Sequence, residues 1–169
     1  MFYDDIIANL DPGHRATIDH LLSHDDVLSM DRFRHHDRTA LTHSLAVSTN
    51  AYRWARRLGL DAGSTARGAL LHDFFLYDRR DGLKHRHPTR HARVALGNAK
   101  ARFTLNPVEA DIILTHMWPV GGPFYSYRES ILVSMVDKIV STREVLILLC
   151  LTIGRWASML FARMADSRA

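Results

Sequence analysis

Apolar residues along this chain recur at intervals of three and four, and the strict alternation of a half-buried strand is absent throughout. The pattern therefore predicts helices. Residues 1–36 read as short helical pieces: Asp11-Pro12 is an N-cap followed by proline at the first helical position, and Ile18, Leu21 and Leu22 mark a stripe. Val27, Leu28 and Met30 mark a second short piece. A strong helix is predicted over 39–58, with Leu41, Leu45, Ala46 and Ser48-Thr49 on one side and Gly59 as its stop. After a turn from Asp61 to Ser64, another runs through Ala66, Leu70 and Leu71 to His72-Asp73. Residues 76–86 are polar, contain Gly82, and read as a loop. His87-Pro88 opens the next helix, whose buried side is Val94, Ala95, Leu96, Ala99 and Phe103.

Asn106-Pro107-Val108-Glu109 then spells a near capping box, with the carboxylate three residues past the cap. The helix it starts carries Ile112, Ile113, Leu114 and His116 and ends by Trp118-Pro119. The last long helix begins near Tyr127 with Ile131, Val133, Met135, Val136, Ile139 and Val140, and Asp137 among them. The expected fold class is all-α, a single-domain helical bundle over 1–169.

Composition narrows the function more than the fold. At 169 residues the chain has enough core to fold without disulfides. Its net charge of +4 is carried by nineteen Arg against three Lys, and guanidinium favours bidentate phosphate or carboxylate contacts. No basic run is dense enough for a nucleic-acid arm, so a small anionic partner is expected and nucleic acid is not. The single Cys150 excludes an internal disulfide framework, and the acidic N-terminus lacks the order of a signal peptide; both fit a cytoplasmic protein. Val145 to Ile153 is strongly apolar but about half of the ~20 residues a membrane span needs. It reads as a core or interface helix, the latter allowing a homodimer, within a C-terminal apolar helix over 145–169.

The chemistry concentrates where polar residues interrupt apolar runs. Arg67-Gly68-Ala69-Leu70-Leu71-His72-Asp73-Phe74-Phe75 places a His-Asp pair in a segment that must be buried, and such groups need hydrogen-bond, ionic or metal partners. His43, His91, His116 and Asp137 each sit in a helical segment beside apolar neighbours. Imidazole and carboxylate without thiolate suit Mn, Fe, Co, Ni or Zn, and metal sites in bundles are built from inward side chains of facing helices. Of the remaining histidines, His36 is a candidate neighbour of the ligands, and His14, His20, His24 and His35 read as surface residues.

With these residues in place, the chain resembles the HD-domain metal-dependent phosphohydrolase superfamily over about 35–144. The resemblance rests on His43-Ser44-Leu45-Ala46-Val47, Gly68-Ala69-Leu70-Leu71-His72-Asp73 and Val136-Asp137-Lys138. It implies one divalent metal held by His43, His72, Asp73 and Asp137. His91 and His116 match the extra histidines of the dinuclear branch, which implies a second ion bridged by Asp73. His87-Pro88 also resembles a dinuclear motif; His91 is preferred for the small residues Ala95 and Asn98-Ala99 that follow it, which leaves His87 to support the ligands or to face substrate.

The implied activity is metal-assisted hydrolysis of a small phosphorylated molecule, with metal-bound hydroxide as nucleophile. Developing charge would be met by Arg128 and Lys138, with Arg38 as a further substrate contact and Asp78 as an outer-sphere acid or base. Trp118, Phe124 and Tyr125 either stack on a base or cover the core. Mixed-valent diiron oxygenases of the same superfamily are similar in ligand order, and a non-catalytic ligand-binding HD regulator is a third alternative.

Overall fold

The computed structural model describes residues 7, 10–35, 38–76 and 87–166, with backbone alone at 34, 35, 87–89 and 154–166. Among them are seven α-helices: α1 Pro12–Leu22, α2 Asp25–Leu28, α3 Ala40–Leu58, α4 Ala62–Leu71, α5 His87–Lys100, α6 Pro107–Thr115 and α7 Arg128–Asp166. A 3-10 turn spans Ser29–Arg32. The all-α expectation holds, with one small departure. Strands β1 Arg34–His35 and β2 Arg38–Thr39 pair antiparallel just before α3. Two residues per strand are too few to leave a period in the sequence.

Local chemistry sets the boundaries. The Asp11 carboxylate accepts from the Gly13 and His14 amides at 3.0 and 3.1 Å, and Pro12 needs no amide partner there. Thr39 and Thr42 cap α3 reciprocally, and Gly59 closes it in the left-handed conformation (φ 65°) that costs glycine little. Asp61 caps α4 through the Ser64 amide, and Asn106 and Glu109 form the capping box expected for α6.

The core gathers around α4, whose Ala66, Ala69, Leu70 and Leu71 are wholly buried. α3 packs along one side of α4, α6 lies against another, and α7 closes against α3 and α6. A Cβ added to Gly68 would meet Ile112 at 2.9–3.0 Å, so glycine sets how closely α4 approaches α6. α7 is a single helix of 39 residues, about 58 Å at 1.5 Å per residue. Residues 145–153 continue it without a break, and every one is exposed rather than in the core.

His14 is also placed differently from expectation: it is fully buried. Its Nε2–H donates to Ser48 Oγ (2.9 Å), and the Ser48 hydroxyl donates in turn to the Ala66 carbonyl (2.8 Å), linking α1, α3 and α4. Burial lowers the imidazole pKa to about 4, against a smaller opposing pull from Asp11. His14 is therefore neutral in the folded protein, whereas the unfolded chain takes up a proton below about 6.5. Stability should fall as pH drops from 6.5 towards 4. Urea unfolding across that range should show the slope in the parent protein and a shallower one in His14→Gln.

Candidate metal centre

Two helix ends present histidines in the same way. α4 stops at Leu71, and the His72 Nδ1–H donates to the Ala69 carbonyl at 2.7 Å. α6 stops at Thr115, and the His116 Nδ1–H donates to the Ile113 carbonyl at 2.8 Å. Carbonyls in a final turn lack helical partners, so each ring satisfies one and is fixed in tautomer and direction. Nε2 of both rings is left as a lone-pair donor aimed inward. Immediately after His72 the chain turns, with the Phe75 amide donating to the Asp73 carbonyl at 2.8 Å. That turn carries the Asp73 carboxylate to the same interior.

α3, α5 and α7 complete the group. His43 Nε2 lies 3.0 Å from Asp137 Oδ1, and His72 Nε2 lies 3.7 Å from the same oxygen. Asp73 stands between two sets of imidazoles. Its Oδ2 is 3.7 Å from His72 Nε2; its Oδ1 is 3.4 Å from His91 Nε2 and 3.7 Å from His116 Nε2. The His91 and His116 Nε2 atoms approach to 2.9 Å. All six residues are buried. Donor atoms of five of them, all but Asp137, form two trios, His43-His72-Asp73 and Asp73-His91-His116, each compact enough to hold an ion and joined by one carboxylate.

The electrostatics are those of a site that demands positive charge. Burial alone would push the His43 imidazole down, but hydrogen bonds to Asp137 and Glu144 outweigh it and raise the pKa to about 10. His72 is likewise raised against burial, by the charges of Asp73 and Asp137. Burial opposes ionisation of Asp137, yet His43 and His72 hold its carboxyl well below the usual range. At the other end, burial and then the neighbouring His72 and His91 lower His116 to about 3, so this ring is a neutral donor. Protons on His43 and His72, or a divalent cation, can answer the buried carboxylates; metal ligation requires the imidazoles neutral.

The residues fit a metal ion. The decisive atom is His72 Nε2, buried, directed at Asp73 and Asp137, and without a hydrogen-bond partner. With its Nδ1–H committed to the Ala69 carbonyl, the neutral ring offers only a lone pair at Nε2, and a cation is the natural acceptor of it. Nitrogen and carboxylate donors with no thiolate match a divalent transition metal.

Sequence reasoning passed over Glu144. Its buried Oε2 lies 3.0 Å from His43 Nδ1, so the carboxylate receives the Nδ1–H and leaves Nε2 facing Asp137. Glu144 follows Asp137 by seven residues, two helical turns, which puts both on one face of α7. That spacing was the available signal. Arg38 joins this arrangement, its Nε 3.7 Å from Glu144 Oε1, and remains partly exposed.

Other expected site residues stand elsewhere. Lys138 donates to the His116 carbonyl (3.1 Å) and to Ser134 Oγ (2.5 Å), so it ties α7 to the end of α6 rather than pointing at the carboxylates; burial lowers its pKa. Arg128 is exposed on the first turn of α7, beside Trp54, Leu58 and Leu60 in an apolar groove. Nine residues separate it from Asp137, about 13 Å of helix, so it is not brought to the cluster. His87 begins α5, but its side chain, like Asp78 and His36, lies outside the described residues. Trp118, Phe124 and Tyr125 form a mutual cluster with ring centroids 5.3–5.5 Å apart. Tyr125 donates to Ser134 Oγ at 2.8 Å, while Trp118 and Phe124 stay exposed rather than covering the core.

Among known proteins, the family model for the HD domain matches residues 40–139. No curated protein and no solved structure matches the chain. The match spans more than half of the sequence, and the chain belongs to the HD domain family, the metal-dependent phosphohydrolase superfamily.

Two sets of variants probe the geometry. Asp73→Ala should strip bound metal from both trios, whereas His116→Ala should remove mainly one ion; equal losses by elemental analysis would sink the shared-carboxylate arrangement. Glu144→Gln keeps the volume but replaces the charged acceptor of the His43 Nδ1–H with a neutral one, whereas Glu144→Ala removes it; metal affinity by competition titration should fall in both, by about 10–100-fold in Glu144→Ala.

Proposed function

We propose that this HD-domain protein is a phosphohydrolase that cleaves a phosphoester of a small anionic molecule, a nucleotide among the candidates, with two divalent metal ions. The observation that carries this reading is Asp73, whose two carboxylate oxygens face different histidines from different helices. Of the ions proposed, Mn, Fe, Co, Ni or Zn, one would be held by His43, His72, Asp73 and Asp137, the other by Asp73, His91 and His116. Bound there, such a pair supplies Lewis acidity, acidifies water and clamps a phosphoryl group.

The protein's own part is orientation and exclusion of water. The Ala69 and Ile113 carbonyls hold the rings of His72 and His116 in one tautomer. Glu144 does the same for His43. Lys138 fixes the backbone of His116 from α7. These are positioning roles, and they pre-set the donor atoms so that little reorganisation accompanies substrate binding.

Substrate contacts lie at the margin. Arg38 sets a partly exposed guanidinium beside Glu144, suited to a phosphate oxygen. The exposed Trp118-Phe124 pair offers an aromatic surface beyond His116, suited to the base or apolar portion of a substrate.

Purified protein loaded with Mn should hydrolyse at least one member of a panel of nucleotides and simple phosphoesters, and chelator should abolish the activity reversibly. Hydrolysis that persists through exhaustive chelation would refute the metal mechanism. Oxygen uptake with an iron EPR signal, in place of phosphate release, would move the chain to the oxygenase reading.

A further inference from the structure

α7 has two working faces. Ser130, Val133, Ser134, Asp137 and Glu144 are buried against the rest of the protein. On the opposite side run Ile131, Met135, Ile139, Thr142, Leu146, Leu149 and Ile153, at steps of four and three, and all are exposed. Ile139, the most open of the apolar ones, is 64% exposed. This is a heptad-like seam on the back of the metal-facing surface. Its first half forms one wall of an apolar groove of about 420 Å³, and Trp54, Leu58 and Leu60 help form the rest. Its second half runs through 145–153, where every residue is exposed. A helix that is apolar all round is normally covered.

The two halves are complementary in position. Ile131 and Ile153 lie eleven residues either side of Thr142, and Met135 and Leu149 lie seven either side. An antiparallel copy of α7 centred on Thr142 therefore sets Ile131 against Ile153 and Met135 against Leu149, twice over. Each apolar tail then lies in the other copy's groove, where Trp54 and Leu58 cover sides that a bare helix pair would leave wet. This is the self-complementarity of a two-fold interface. The hydroxyls on the path create no obstacle: Thr142 donates to the Lys138 carbonyl at 2.7 Å and Thr152 to the Leu148 carbonyl at 2.8 Å, so both stay satisfied when covered. The exposed Arg143 is a like-charge contact near the axis that salt screens.

We propose that this stripe is an interaction surface whose partner is a second copy of the chain, paired antiparallel about a two-fold axis at Thr142. The proposal is independent of the chemistry at the metal centre. It is tested by sedimentation velocity on the full chain at micromolar concentrations. The parent protein sediments as a dimer. Met135→Lys and Leu149→Glu each weaken association by about tenfold or more, because each buries an unpaired charge. The double variant recovers the dimer, since each Lys then faces the Glu of the other copy. Where a charged variant loses helicity by circular dichroism, Thr142→Cys in a Cys150→Ser background decides instead, and it forms a disulfide-linked dimer on mild oxidation. A parent protein that sediments as a monomer, single variants that associate like the parent, or a double variant that stays monomeric would each overturn the pairing. So would a monomer that co-sediments with phospholipid vesicles, which would assign the stripe to a membrane surface.

Discussion

Two carboxylates, Asp73 and Asp137, are buried among four imidazoles, and their need for positive charge is the constraint on which this structure turns. Unpaired, each would cost several kcal/mol to hold away from water. The partners come from α3, the ends of α4 and α6, α5 and α7, so the same residues that answer the charge also tie five helices to one point. The fold supports that point from behind. Capping by Thr39, Asp61 and Asn106 sets where α3, α4 and α6 begin, and Gly68 lets α4 lie close enough to α6 for the two helix ends to meet.

α7 shows how one helix serves two ends. Its heptad-like spacing places Asp137 and Glu144 on the inner face, with His43 between them, and an apolar seam on the outer one. Ligand orientation thus passes outward through a single relay, from Asp137 through His43 to Glu144 and on to Arg38. Among the residues described with their side chains, no helix is long and apolar enough to cross a membrane.

How much of this was legible in the sequence depended on whether a residue's role is local. The buried His72-Asp73 pair, the caps and the helical periods are short-range features, and they read correctly from the chain. His14 did not, because its polar partner Ser48 lies 34 residues away and nothing near it signals burial. Glu144 was passed over, although its seven-residue distance from Asp137 put it on the ligand face. Arg128 and Lys138 share the helix of Asp137, but in a helix direction decides: Arg128 opens onto the groove and Lys138 turns to the His116 carbonyl. The continuation of the last helix through 145–153 was visible as an apolar run, but only the structure shows it standing exposed.

The central claim is that one carboxylate joins two ion sites. Crystals of the Mn- or Fe-loaded protein, measured at the absorption edge of the metal, would test it most directly. The account predicts two anomalous peaks about 3.5–4 Å apart, flanking the Asp73 carboxylate, one within reach of His43, His72 and Asp137 and the other of His91 and His116. A single peak that does not touch Asp73, or full loading with no peak among these residues, would contradict it.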